Sequence, residues 1–169
     1  MMFVTRFLSV VFLLLLCACA ADAPIPPTPL PPTVIQLDID SQSLINPDAS
    51  GKASPVLLRI YELRETNNFL GSDFFALFDK EQATLAADLV RKQEVWLKPG
   101  EHQTLQLQPA SETRSIGFFA VFRKLDDAQW RAWSSLTPHQ LNLLRLTING
   151  NRLTMEQVGK KTVSGNPVE

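Results

Sequence analysis

Pro55-Val56-Leu57-Leu58-Arg59-Ile60-Tyr61-Glu62-Leu63 reads, from Val56 onward, as a β-strand that is apolar on both faces for much of its length. A strand of that kind lies in the middle of a sheet, covered above and below. No crossover helix follows each strand signal, so its sheet is expected to be antiparallel. Upstream, Ile35, Leu37 and Ile39 alternate with Gln36, Asp38 and Asp40, the period-2 pattern of a half-buried strand. Between these two strands, residues 41 to 54 form a polar loop containing Asn46-Pro47-Asp48 and Gly51.

Downstream, residues 66 to 90 break the alternation. Ser72 or Asp73 is placed to cap a short helix through Phe78, with Leu70, Phe74, Leu77 and Phe78 on one face. Asp79 with Gln82 resembles a capping box for a second short turn. Phe69, Phe74, Phe75 and Phe78 form a dense cluster that is expected to seal one end of the core, and a ligand pocket is the alternative reading. Strand signals return at Glu94–Lys98 and Gln103–Gln108, around Pro99-Gly100, a pair suited to a type II turn. Ile116 to Phe122 reads as a second strand buried on both faces. Trp130–Ser134, Asn142–Ile148 and Arg152–Val158 follow, the last two joined at Asn149-Gly150, which predicts a type I′ hairpin. The sum is an all-β chain: a two-sheet β-sandwich of about eight strands with a short helical insertion.

The chain begins differently. Arg6 precedes an apolar run from Phe7 to Leu16, broken only by Ser9, and the run closes on Leu16-Cys17-Ala18-Cys19. As a helix those ten or so residues span about 15 Å, half the roughly 30 Å of bilayer hydrocarbon. The pattern is therefore a cleaved signal rather than a permanent span. Cys19, with Ala18 before it and Leu16 three positions upstream, fits a lipoprotein cleavage site better than Cys17. This predicts loss of residues 1–18, a diacylglycerol thioether on Cys19 and an acylated amine. Each buried methylene contributes about 0.8 kcal/mol, so two or more chains anchor stably. Ala20 stands where Asp would resemble an inner-membrane retention signal, which favours the outer membrane, with the domain facing the periplasm. With Cys17 removed and Cys19 acylated no thiol remains, and no disulfide stabilises the fold.

Pro24, Pro26, Pro27, Pro29, Pro31 and Pro32 hold half of the chain's 12 prolines. Residues 19–32 thus form a lipidated, proline-rich linker that reaches roughly 40 Å at polyproline spacing. The sandwich is assigned to residues 33–158, and 159–169 to a polar tail with little to bury.

Composition excludes several classes of function. The net charge of -1 offers no basic field for nucleic acid or anionic headgroups. His102 and His139 are the only histidines, and neither has a second His or Cys at metal spacing, so no metal or cofactor is expected. Ser134 and Ser135 lack a nucleophile-elbow context, and no glycine-rich phosphate loop occurs. The acidic residues Glu62, Glu65, Asp73, Asp79, Glu81, Asp126 and Asp127 are explained by capping or solvation. The chain is not expected to be an enzyme or to take a small-molecule substrate. Trp130 and Trp133 should face opposite ways, one packed inward and the other at the rim or against a partner.

In order and spacing, the Pro55–Leu63 strand, Phe74 through Asp79, Leu97-Lys98-Pro99-Gly100, Ile116 through Arg123 and Trp130-Arg131 resemble the type VI secretion lipoprotein family of TssJ (SciN). The likeness covers roughly Thr33 to Val158. It departs at Leu85-Ala86-Ala87-Asp88, where the family often has Gly after the Leu, which bears on the local turn. The resemblance implies a transthyretin-like sandwich anchored in the outer membrane. It also implies binding to the periplasmic C-terminal part of TssM, an inner-membrane protein, within the membrane complex that docks the secretion sheath. Loops on a rigid scaffold often carry recognition, so Asn46, Pro47, Asp48 and Lys52 are expected in or beside the partner contact. A periplasmic small-ligand module with its pocket at the Phe cluster is the alternative function.

Overall fold

A computed structural model describes residues 29–161. The signal segment, Cys19, most of the linker and residues 162–169 lie outside the described residues. Eight strands form two four-stranded sheets: β1 (Val34–Ile45), β2 (Val56–Leu63), β3 (Leu89–Leu97), β4 (His102–Leu107), β5 (Ser115–Val121), β6 (Arg131–Ser135), β7 (Leu141–Gly150) and β8 (Arg152–Lys161). One sheet has the order β4-β1-β7-β8 and the other β3-β2-β5-β6. The expected sandwich is what the chain forms.

The second sheet is antiparallel throughout, with β2 in its interior between β3 and β5. That arrangement follows from the apolar faces of β2 and β5: Leu58 and Phe118 point to the core, while Tyr61 and Phe119 point the other way, and all four are fully buried. The first sheet is mixed, because β1 pairs antiparallel with β4 but parallel with β7. No single crossover helix makes that parallel return; the whole second sheet lies between β1 and β7 in the chain. Ile35, Leu37 and Ile39 of β1 alternate inward as expected and meet Leu144, Leu146 and Ile148 of β7 in the core between the sheets. Each such side chain contributes about 1.5–3 kcal/mol on burial.

Strand β1 outlasts the boundary expected at Ser41. A register shift between Ser41 and Ile45 lets Gln42, Ser43 and Leu44 stay exposed while Ile45 returns to the core opposite Gly150. At its other extreme, β8 runs on through Gly159 to Lys161, past the expected end of the domain at 158.

Two helices cover part of the outer face of the second sheet: α1 (Asn67–Gly71) and α2 (Phe74–Leu85), followed by a 3₁₀ turn over Ala86–Asp88. Asp73 caps α2 as expected, its carboxylate accepting from Ala76 N at 2.9 Å. The expected end at Phe78 is a kink at Lys80 rather than a stop. There the Arg59 guanidinium donates to the carbonyls of Leu77 (3.2 Å) and Phe78 (3.1 Å), supplying side-chain donors where the helical ladder breaks. The Phe cluster does not seal an end of the sandwich core. Phe69 and Phe74 pack with Tyr61, Leu77, Leu85 and Phe119 into a second core outside the sheet, and Phe75 and Phe78 remain exposed. Gly117 lets this happen, because a Cβ there would stand 3.1 Å from Phe69 ring atoms and from Leu63 Cδ1.

Pro99-Gly100 makes the expected turn, with Gly100 at φ 73° and Glu101 N donating to Lys98 O at 3.2 Å. The β7–β8 turn differs by one residue from the expected one. Asn149 pairs with Arg152, so Gly150 and Asn151 are the central residues, and only Gly150 has positive φ (58°). This is the pattern of a type II′ turn, which needs glycine first, rather than type I′.

Candidate functional site

Strand β1 joins two ends of the molecule that differ in chemistry. At its start, His139 N donates to Thr33 Oγ1 (2.9 Å), His139 Nδ1 bonds the Pro31 carbonyl (2.8 Å) and Val34 N donates to Gln140 O (3.0 Å). The last linker residues are thereby fixed to the sandwich. His139 adopts φ 58° to reach them, and no sequence signal marked it for this role. The ends of β2, β4, β6 and β8 share this linker end. Twelve strand residues away, about 40 Å at β spacing, lie the 46–55 loop, the Pro99-Gly100 turn, the β5–β6 loop and the Gly150 turn.

Of the residues expected at a partner contact, Asn46 is the base of that far loop and is 2 % exposed. Its amide donates to Pro55 O (2.7 Å) and accepts from Arg123 N (2.8 Å), and its backbone N donates to Gly150 O (3.0 Å). One residue thus ties together the end of β1, the start of β2, the end of β5 and the β7–β8 turn. Asn tolerates the φ of 46° found there. Pro47 and Asp48 are half-buried, and Lys52 is exposed beside Ser50 and Gly51. The Asp48 carboxylate accepts from Ser50 Oγ (2.7 Å), Ser50 N (2.9 Å) and Lys52 N (3.0 Å). These bonds, led by the Ser50 hydroxyl, hold its pKa below the usual carboxylate value. Residues 47–53 are therefore a shaped projection on a buried anchor.

The helical layer is bound to its sheet by charge. Arg59 sits 3.2 Å from Glu81 and 3.1 Å from Glu94, Tyr61 Oη donates to Glu81 at 2.8 Å, and Lys92 bonds Glu81 as well. Burial pushes the Glu81 carboxyl up, but the bonds from Lys92 and Tyr61 and the Arg59 charge outweigh it, and the net shift is downward. Arg131 donates to the carbonyls of Phe69 (3.0 Å) and Ser72 (2.7 Å) and stacks on Trp130 at 4.7 Å. Trp130 packs against Phe74 and Phe119 beneath the helical layer, while Trp133 is 42 % exposed on the outer face. The two tryptophans differ in burial as expected but not in face, because Trp130 precedes the regular ladder of β6 and turns onto Phe74 and Phe119 in the outer layer.

Other candidate groups are placed apart. His102 lies on the outer face of the first sheet, 3.2 Å from Asp40, far along β1 from His139. Glu62 is a buried structural carboxylate, accepting from Arg91, Ala110 N and Thr113 Oγ1. Among the described residues no group of three or more His, Cys, Asp or Glu is placed to hold a metal ion, and no helix is long and apolar enough to cross a membrane. Cys19 lies outside the described residues.

Comparison with known proteins agrees with this geometry. TssJ1 from Pseudomonas aeruginosa, a T6SS lipoprotein, is 34% identical over 76% of this chain and 98% of its own, with a TM-score of 0.73. A chain from a structure described as a type VI membrane complex is 29% identical over 73% of this chain and 98% of that one, with a TM-score of 0.65. A chain from a structure described as the TssM C-terminal domain from EAEC is 27% identical over 75% of this chain and 99% of that one, with a TM-score of 0.62. No curated protein matches the sequence. Residues 33–151 match the family described as type VI secretion lipoprotein, VasD, EvfM and TssJ, and the chain belongs to that family, T6SS-SciN.

Proposed function

We propose that this chain is a periplasmic adaptor, held in the outer membrane by lipid on Cys19 and bound at its far end to the C-terminal periplasmic region of TssM. Residues 1–18 are its cleaved signal, 19–32 its spacer and the sandwich its rigid body. The observation that carries this reading is the position of β1. The strand starts where the linker is fixed, at Thr33, and ends at the projecting loop that follows Asn46. An anchor and a contact at opposite ends of one interior strand suit a link between two membranes. Chains similar to this one come from structures named for the membrane complex and for the TssM C-terminal domain, which supports TssM as the partner.

Pro47, Asp48 and Lys52 present the contact, and Asn46 acts beneath them by fixing the loop's base. The mechanism is mechanical rather than chemical: acyl chains resist extraction, and the sandwich transmits tension to the loop. The test is co-purification of the mature protein, soluble as Cys19→Ala, with the periplasmic C-terminal segment of TssM. Residues 47–53 are then exchanged for a short Gly/Ser turn, with Asn46 and Ser54 retained because both are buried. The exchange should abolish binding without unfolding the domain, and Cys19→Ala in cells should abolish membrane attachment and secretion. Unchanged affinity after the exchange would remove the loop from the contact.

A further inference from the structure

The outer face of the second sheet is only partly covered. Its rows run across the strands: Lys92, Tyr61, Gly117 and Trp133 form one, Glu94, Arg59, Phe119 and Arg131 the next, and Trp96, Leu57 and Val121 the row nearest the far end. Helices α1 and α2 lie over the first two rows and stop short of the third. Trp96 is left 64 % exposed, Phe78 of α2 is 38 % exposed, and with Leu57 and Val121 they line a mostly apolar groove of about 300 Å³. Asn46 and Pro55, the base of the projecting loop, close one side, and Arg123 stands at the rim.

Rim chemistry narrows the choice of a foreign occupant. Arg123, the one charged residue lining the groove, makes no ion pair among the described residues. The Asp48 carboxylate feels the Arg123 charge but is turned into its own loop, where it accepts from Ser50 and Lys52 N, which leaves the guanidinium's donors open to a second anion. A guanidinium beside an exposed Trp calls for an apolar side chain flanked by acid.

We propose that the Trp96–Phe78 groove receives a segment of the TssM periplasmic region that carries a bulky apolar side chain next to a carboxylate. This rests on the adaptor reading and extends its contact from the loop onto the sheet. The probe is 1-anilinonaphthalene-8-sulfonate, an aromatic body with one anionic group, added to the folded mature Cys19→Ala protein. Its fluorescence enhancement should be lost in Trp96→Ser and in Arg123→Glu, retained in His102→Ala on the opposite sheet, and displaced by the TssM segment. Both groove variants should weaken TssM binding roughly tenfold or more, Arg123→Glu with a reduced salt dependence. Dye binding unaffected by either variant overturns the groove. Dye that stays bound when TssM binds overturns the occupant while the adaptor reading stands. A change of molecular mass in Trp96→Ser would give the groove to a second copy of the chain, and absence of any TssM binding would sink the adaptor reading and the occupant together.

Discussion

Ala86 closes α2 at φ 47° and ψ −122°, a conformation that an L side chain adopts only under strain. Its backbone N–H still donates to Gln82 O, so the cap needs this geometry and not this residue. A non-glycine residue held there costs of order 1–3 kcal/mol. Ala86→Gly removes that cost and returns about 0.5–1 kcal/mol through the greater freedom of glycine in the unfolded chain. Ala86 is exposed, so no packing is lost with the methyl. The net expectation is a gain of about 1 kcal/mol, a rise of roughly 3–5 °C in Tm for a domain of this size. Urea unfolding of the mature Cys19→Ala protein with and without the substitution measures it. Gly100→Ala, at φ 73° with open space around its Cβ, should move stability the other way by a similar amount. A loss of 0.5–1 kcal/mol in Ala86→Gly would show that Ala86 is not strained and would refute the reasoning. Gly after Leu85, the residue common in the family pattern, is what this geometry asks for.

Gly117→Ala drives a methyl against Phe69 and Leu63 and should destabilise by about 1–3 kcal/mol; the cost should shrink in a Phe69→Leu background, which differential unfolding of the two pairs will show. Glu81 has a lowered folded pKa, so its contribution is present above the ordinary value of 4.5 and is lost as pH falls through the folded value. Glu81→Gln should therefore flatten the acid limb of a stability-versus-pH curve as well as lowering the neutral plateau. Tension applied between residue 29 and a Ser50→Cys handle loads β1 along its axis, against its whole pairing with β4 and β7 at once. Single-molecule pulling should need a higher rupture force in that geometry than between Ser50 and Lys161, where the edge strand β8 is loaded along its axis against the β7 ladder alone. Equal forces would deny β1 a load-bearing role.

Much of the sandwich was legible because its signals are local. The alternation of Ile35, Leu37 and Ile39, the two-faced apolarity of β2 and β5, and the positive φ demanded of Gly100 each act within a few residues. What escaped is non-local or small. The parallel pairing of β1 with β7 depends on the placement of the entire second sheet between them. Helix α1 is five residues long with no side-chain cap at Thr66, so it forms because Phe69 is buried and Arg131 holds the carbonyls of Phe69 and of Ser72 just after it. The Gly150 turn sits one residue late because Asn149 continues the ladder opposite Arg152. Asn46 looked like a surface loop residue, yet its three partners come from Pro55, Arg123 and Gly150, which no window of sequence brings together. Thr33 and His139 are likewise joined only by the fold.

The central claim is that the anchor and the partner occupy opposite ends of β1. A photo-crosslinking residue placed in cells at Ser50, on the projecting loop, and separately at Ser111, exposed at the linker end, tests it most directly. The account predicts a covalent adduct with TssM from Ser50 and none from Ser111. An adduct from Ser111 with none from Ser50 would contradict it.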